Sequence, residues 1–200
     1  MTKTEKTKYA RISFEEMQSL SKAIALAFSR KYGTPEAIIY IERGGMVFGR
    51  LLSDYLGVSR LYGIRASLYS EANKMMDAVH LEGMEAVPKS WPNDKHILIA
   101  DDIADTGKTL NAVLSEVRKS TPKVATATML CKPRSIILPD FCGKTLGNNT
   151  WAIFDYEEME TAEDFKKSGN KEGQDFIRRK YGVRRNARSK VNPSAGLPAK

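Results

Sequence analysis

Three aspartates and a Thr-Gly-Lys-Thr turn share nine residues of the stretch HILIADDIADTGKTL, residues 96–110. Carboxylates repel phosphate, whereas a glycine turn opening a helix attracts it through unpaired N–H groups and the positive end of the helix dipole. Gly107 permits close backbone approach, and Thr106 and Thr109 add hydroxyl donors. The spacing is not that of a Walker A loop, because the position five before Gly107 is Asp102 rather than glycine. An acidic phosphoacceptor pocket of the response-regulator kind would use the aspartate pair but leave Gly-Lys-Thr without a purpose. A solvated strand-to-helix turn with an Asp cap would leave the whole coincidence without one. A ligand with two unlike ends uses every residue. Vicinal sugar hydroxyls match Asp101 and Asp102, two donors to two acceptors, and a phosphate matches residues 105–109. A metal ion held jointly by hydroxyls and a diphosphate would suit the acids equally well.

The elements that must position this stretch are legible around it. KHILIA, 95–100, is a short apolar run of the kind that forms a buried parallel strand, and TGKTLNAVLSEVRKS opens a helix with Thr106 as its cap. A strand that feeds a polar loop and then a helix puts that loop at the carboxyl edge of the sheet, where open α/β sheets bind ligands. The strand EAIIYIE (36–42), the turn RGG, the helix MVFGRLLSDYLG ending at Gly57 and the strand RLYGIRA (60–66) make a βαβ unit. ISFEEMQSLSKAIALAFSRKYG reads as an amphipathic helix with Ser13 and Glu16 as a capping box and Gly33 as its stop. KVATATMLC (123–131) is a further strand, the stretch 132–150 is irregular, and WAIFDYEE (151–158) is strand-like. Residues 161–182 read as a broken helix. The long polar segment 67–94 is expected to be a lid or binding loop. No internal repeat is visible.

Within this frame ILIADDIADTGKT resembles the phosphoribosyl diphosphate signature of type I phosphoribosyltransferases. ERGGMVFGRLLSDYLG is similar to their diphosphate loop and its helix. LCKP followed by TWAIFDYEE is similar to the base-binding hood of the short 6-oxopurine enzymes, the xanthine–guanine and archaeal hypoxanthine–guanine kind. The resemblance runs in order over residues 9–160. It implies an α/β fold: an open, mainly parallel sheet flanked by helices, with a lid at 67–94 and a small hood at 132–158. A helical appendage over 161–182 and a basic tail over 183–200 follow.

By the same resemblance, Asp101 and Asp102 bind the ribose 2′- and 3′-hydroxyls, with Asp102 close to a Mg2+ cofactor. Asp105 sits near purine N7 as general acid/base. Thr106, Gly107, Lys108 and Thr109 hold the 5′-phosphate; Lys108 replaces the small residue common in some members and adds charge there. Arg43, Gly44 and Gly45 bind diphosphate, and the peptide before the first glycine is expected to be a non-proline cis bond. Lys132 donates to the purine O6, Trp151 stacks on the ring and Ala152 offers backbone groups to the base edge. Ser67, Tyr69 and Lys74 are candidates to close over diphosphate. Asp155 stands where related short enzymes often carry proline. The implied reaction is Mg-dependent transfer of phosphoribose to N9 of guanine, hypoxanthine or xanthine in purine salvage. The implied partners are phosphoribosyl diphosphate, the base and a second copy in a homodimer. Transfer to a pyrimidine is a variant of the same chemistry. A member of the fold used as a nucleotide-sensing regulator that touches nucleic acid is the alternative, kept open by the tail.

Composition bounds the rest. The chain has 200 residues, 42% hydrophobic and 28% charged, which suits one sizeable α/β domain. Its net charge is +8, and the excess lies at the end: residues 178–200 carry 8 basic side chains and no acid, while the remaining 24 basic residues match 24 acidic ones. The pI therefore describes the tail and not a basic groove; a loose, solubilising end is the simpler reading of VNPSAGLPAK. There is no long apolar run for a membrane span and no secretory signal pattern, so a cytoplasmic location is expected. Cys131 and Cys142 are expected as reduced thiols, the second in a loop. No C-x2-C pair with histidine partners supports zinc. His80 and His96 lack a triad context and are read as non-catalytic.

Overall fold

The structure is a computed structural model describing residues 6–69, 78–92 and 94–182. The expected basic tail and Lys74 lie outside the described residues. The described residues divide into two compact units, one within residues 15–150 and one that joins residues 6–14 to 151–182.

The larger unit is a six-stranded sheet. Its strands are β2 (Ala37–Glu42), β3 (Leu61–Tyr69), β4 (Ala78–Glu82), β5 (Ile97–Ala104), β6 (Val124–Cys131) and β7 (Phe141–Thr145), in the order β4-β3-β2-β5-β6-β7. Only the β3–β4 pair is antiparallel; β2–β3, β2–β5, β5–β6 and β6–β7 are parallel. This is the open, mainly parallel sheet the sequence predicts. The helices α2 (Gly45–Leu56) and α3 (Lys108–Val117) pack on it. Strands covered on both faces read as unbroken apolar runs, and Ile97, Leu98, Ile99 and Ala100 are all fully buried. Glycine ends α2 as expected: Gly57 has φ 66° and its N–H donates back to Asp54. The long helix α1 (Phe14–Tyr32) likewise stops at Gly33, whose N–H donates to the Ser29 carbonyl at 2.9 Å.

The smaller unit pairs β1 (Lys8–Ile12) with β8 (Thr150–Phe154) in a two-stranded sheet and adds α4 (Glu158–Lys167) and α5 (Lys171–Tyr181). Its core is Ile153, Phe165 and Ile177, with Tyr9 packed edge-on to Phe165 at 5.6 Å between ring centroids. The broken helix is thus two helices. Asn170 caps the second by accepting from the Gly173 N–H at 2.9 Å.

Several expectations are corrected. Residues 8–12 are a strand that precedes α1, where the helical reading began at Ile12; that strand's partner lies far along the chain, which local periodicity does not reveal. The segment 67–94 is less irregular than expected. Residues through Tyr69 extend β3, 78–82 form β4, and Val87 and Trp91 are buried in the main core, with Trp91 edge-on to Tyr62 at 5.8 Å. The stretch 132–150 contains β7. The two cysteines are not free thiols: Cys131 and Cys142 are paired in a disulfide between the neighbouring strands β6 and β7, with their Cα atoms 6.2 Å apart. Cys142 is a strand residue and not a loop one, level with Thr128 on the neighbouring strand.

Among the described residues no helix is long and apolar enough to cross a membrane.

Candidate active site

The acidic pair lies within the strand itself. β5 runs to Ala104, four residues beyond the predicted end at Ala100, so Asp101 and Asp102 stand on its last turns of pleat and point to opposite faces. Pairing with β6 carries this extension: Asp101 is level with Thr128 and Ala104 with Cys131. Asp101 is 8% exposed. Burial, reinforced by the negative charge of Asp102, pushes its carboxyl well above the usual carboxylate range. Its Oδ1 accepts the Asp102 N–H at 3.0 Å, and Asp102 Oδ1 accepts the Ile103 N–H at 2.7 Å.

The turn after β2 meets this pair directly. β2 and β5 are parallel neighbours, so both strand ends open on the same edge. A Cβ on Gly44 would fall 2.0 Å from Asp102 Oδ2, and one on Gly45 would fall 2.7 Å from the Ala100 carbonyl oxygen. The β5 backbone therefore requires Gly45, whereas at Gly44 the obstacle is the carboxyl end of the Asp102 side chain. A non-proline cis peptide is present as expected, one position earlier, between Glu42 and Arg43. Arg43 is exposed, and its carbonyl accepts the Met46 N–H at 3.2 Å at the start of α2.

The second turn, after β5, opens the helix α3. Gly107, not Thr106, is the N-cap residue of α3, with φ 75° and ψ 0°, a conformation open to glycine. Thr106 serves from one position further out: its Oγ1 accepts the Lys108 N–H at 3.5 Å. The first amides of α3 at Lys108 and Thr109 thus head a ten-residue helix whose dipole favours negative charge.

Asp105 occupies the junction between the turn and the end of β6. Lys132 Nζ donates to Asp105 Oδ2 at 2.8 Å, and Arg134 Nε donates to Oδ1 at 2.6 Å, with Arg134 Nη2 also against Oδ1. Lys132 is 4% exposed. A buried ammonium is tolerated only when paired, and Asp105 is that pair. Arg134 is a site residue that the sequence reading missed. Its available signal was a second cation two residues past Lys132 in CKPR, and only tertiary contact joins it to Asp105.

Asp101, Asp102, Asp105, Thr106, Gly107, Lys108, Thr109, Arg43, Gly44, Gly45 and Lys132 all fall in the larger unit, at the ends of β2, β5 and β6. Trp151 and Ala152 lie on β8 in the smaller unit. Trp151 is 48% exposed, with its ring edge-on to Phe165 at 5.3 Å, so it is an exposed aromatic rather than a buried strand residue. Asp155 has its own partner in that unit: Arg11 donates to its two oxygens at 2.7 and 2.9 Å. Ser67 is on β3 opposite His80, and Tyr69 ends that strand.

Comparison with known proteins agrees with this geometry. The family model of the phosphoribosyl transferase domain matches residues 13–161. A xanthine-guanine phosphoribosyltransferase of Desulfotalea psychrophila is 30% identical over 146 residues, covering 73% of this chain and 84% of that protein. Among solved structures, a purine phosphoribosyltransferase from Pyrococcus horikoshii superposes with a TM-score of 0.62 at 26% identity, covering 74% of this chain and 93% of the other. The xanthine-guanine-hypoxanthine phosphoribosyltransferase of Helicobacter pylori gives a TM-score of 0.65 at 26% identity, covering 81% of this chain and 99% of the other. With the family model matching residues 13–161 and the turns after β2 and β5 on one edge of a mainly parallel sheet, this protein belongs to the type I phosphoribosyltransferases.

Proposed function

We propose that this chain transfers the phosphoribosyl group of 5-phosphoribosyl 1-diphosphate to N9 of a 6-oxopurine, releasing diphosphate and a nucleoside 5′-monophosphate. The observation that carries the reading is the contact between the two turns: the Gly44 backbone abuts Asp102 on a strand that leads into the anion turn at Gly107. A ligand with an anion at each end of a sugar fits that order of groups. The names of the similar proteins support a purine as acceptor.

In this reading the amides of residues 106–109 hold the 5′-phosphate and Asp101 and Asp102 accept from the ribose hydroxyls. The amides of Gly44 and Gly45 with the Arg43 guanidinium hold diphosphate. The C1′–oxygen bond to diphosphate breaks with its electron pair leaving on that oxygen, and the purine N9 lone pair forms the new bond at C1′. Positive charge that develops on the ribose is stabilised by the nearby carboxylates. Asp105 takes the proton that the purine gives up at N7, and Lys132 donates to the O6 carbonyl.

Mg2+ belongs to the same proposal. Among the described residues no three acidic, imidazole or thiol groups gather into a metal cage. Asp102 is the protein carboxylate that would lie close to the ion, a sparse set that suits an ion carried mainly by substrate oxygens. When bound, the ion would neutralise charge on the diphosphate leaving group.

Incubation with phosphoribosyl diphosphate, Mg2+ and each of guanine, hypoxanthine, xanthine, adenine and uracil, following diphosphate release, tests the reading. Turnover with a 6-oxopurine is the expected result. No turnover with any base would overturn it.

A further inference from the structure

Asp105 carries two cations where the proposed chemistry assigns only one a task. Lys132 and Arg134 take different oxygens of the carboxylate, Oδ2 and Oδ1. Their surroundings also differ: the Lys132 side chain is 5% exposed and the Arg134 side chain 46%. The stretch that bears both cations is stitched to the anion turn. Lys132 N–H donates to the Ala104 carbonyl at 3.0 Å and Ile136 N–H to the Thr106 carbonyl at 2.9 Å, so hydrogen bonds on either side bracket Asp105. Within the stretch, Ser135 N–H donates to the Lys132 carbonyl at 3.0 Å. Arg134 itself is anchored from the far side, its N–H donating to Asn148 Oδ1 at 3.0 Å. Both residues are thus held at the backbone and meet Asp105 at their tips, the lysine buried and the arginine half exposed.

The Lys132 ammonium has three N–H donors, and turning it toward a purine O6 loosens its hold on Asp105 Oδ2. With a single cation that shift would weaken the pairing of a carboxylate whose side chain is 38% exposed. We propose that Arg134 is a positioning residue that keeps Asp105 Oδ1 paired while Lys132 passes from Oδ2 to the oxo group of the incoming base. The inference rests on the purine reading of the site and names the device that lets one lysine serve both the resting carboxylate and the substrate. Arginine suits the task because its fork stays charged and grips one carboxylate oxygen through two nitrogens.

The test uses the full chain with phosphoribosyl diphosphate, Mg2+ and guanine, reading kcat and the KM of each substrate, together with the Kd of guanosine monophosphate. Arg134→Gln leaves Lys132 as the only cation on Asp105. It is expected to raise the KM for guanine and the Kd of the nucleotide about tenfold, with the KM for phosphoribosyl diphosphate within about twofold of wild type. Arg134→Lys keeps the charge and is expected to stay within about threefold of wild type for guanine. In an Asp105→Asn background, where no carboxylate competes for Lys132, Arg134→Gln should add no further change in nucleotide Kd. An unchanged guanine KM in Arg134→Gln would overturn the inference. So would a parallel rise in both KM values, an Arg134→Lys as impaired as Arg134→Gln, or a full additional effect in the Asp105→Asn background. Failure of the wild-type chain to turn over any 6-oxopurine is visible before any variant is made; it would overturn the purine reading and this inference with it.

Discussion

Asp101 and Asp155 are the same residue type handled in opposite ways by two regions of the molecule. Asp101, on β5 in the larger unit, is buried beside the like charge of Asp102, and its carboxyl is pushed well above the ordinary range. Asp155, just after β8 in the smaller unit, is gripped by the Arg11 guanidinium, which holds its carboxyl below that range. Arg11 lies over the Tyr181 ring at 4.8 Å, and Tyr181 O–H donates to the Ile153 carbonyl at 2.9 Å. One arrangement opposes folding and is useful only to a ligand that brings hydroxyls or cations. The other stabilises the local fold and offers a ligand little. Asp105, paired with two cations, stands between these extremes.

That contrast can be broken in graded ways. The largest effect is expected at Asp105→Asn, which removes the proton acceptor: kcat should fall about 10²–10⁴-fold while the nucleotide still binds, as measured by steady-state assay and calorimetry. An unchanged kcat would remove Asp105 from the chemistry. Gly44→Ala comes next, because its new Cβ would collide with Asp102 Oδ2 at 2.0 Å. Overpacking of this kind costs about 1–3 kcal/mol, and the KM for phosphoribosyl diphosphate should rise about tenfold or more. A neutral Gly44→Ala would show that the Asp102 carboxyl swings aside without loss.

Asp101→Asn sharpens the comparison itself. Its carboxyl is disfavoured as an anion in the fold, so the neutral amide should raise the Tm, by about 2–4 °C for each kcal/mol relieved, while turnover falls. A lowered Tm would mean that the buried charge is stabilising after all. Asp155→Asn should do the reverse at smaller scale, lowering the Tm at neutral pH with turnover nearly intact. Because its folded pKa lies below its unfolded one, Asp155 stabilises the fold above about pH 4, and that contribution is lost as the pH falls through the depressed value. The acid side of the stability curve should therefore flatten in Asp155→Asn, as followed by thermal melts between about pH 2 and pH 6.

The strands β2, β5 and β6 and the helices α1, α2 and α3 were legible because buried parallel strands are apolar runs and glycine marks their turns. What escaped was non-local. β1 pairs with β8 across most of the chain, and β7 hides in a stretch of turn residues. Segment 67–94 looks polar, yet Val87 and Trp91 are core, since single apolar residues in a loop carry no period. The site showed the same division. The acids and the glycine turn are contiguous in sequence, whereas Arg134 reaches Asp105 only because β6 lies beside β5.

From the sequence alone, then, came the expectation of a sugar phosphate. Opposed chemistries packed into residues 101–109 admit few occupants other than a sugar phosphate, and their order along one short stretch survives any folding. The tertiary structure alone decided how those groups are charged and shared. Only burial on β5 sets Asp101 against its own ionisation, only the neighbouring turn puts Gly44 against Asp102, and only the end of β6 places two cations on Asp105. Electrostatics depends on distance and solvent access, and neither is written in the order of residues.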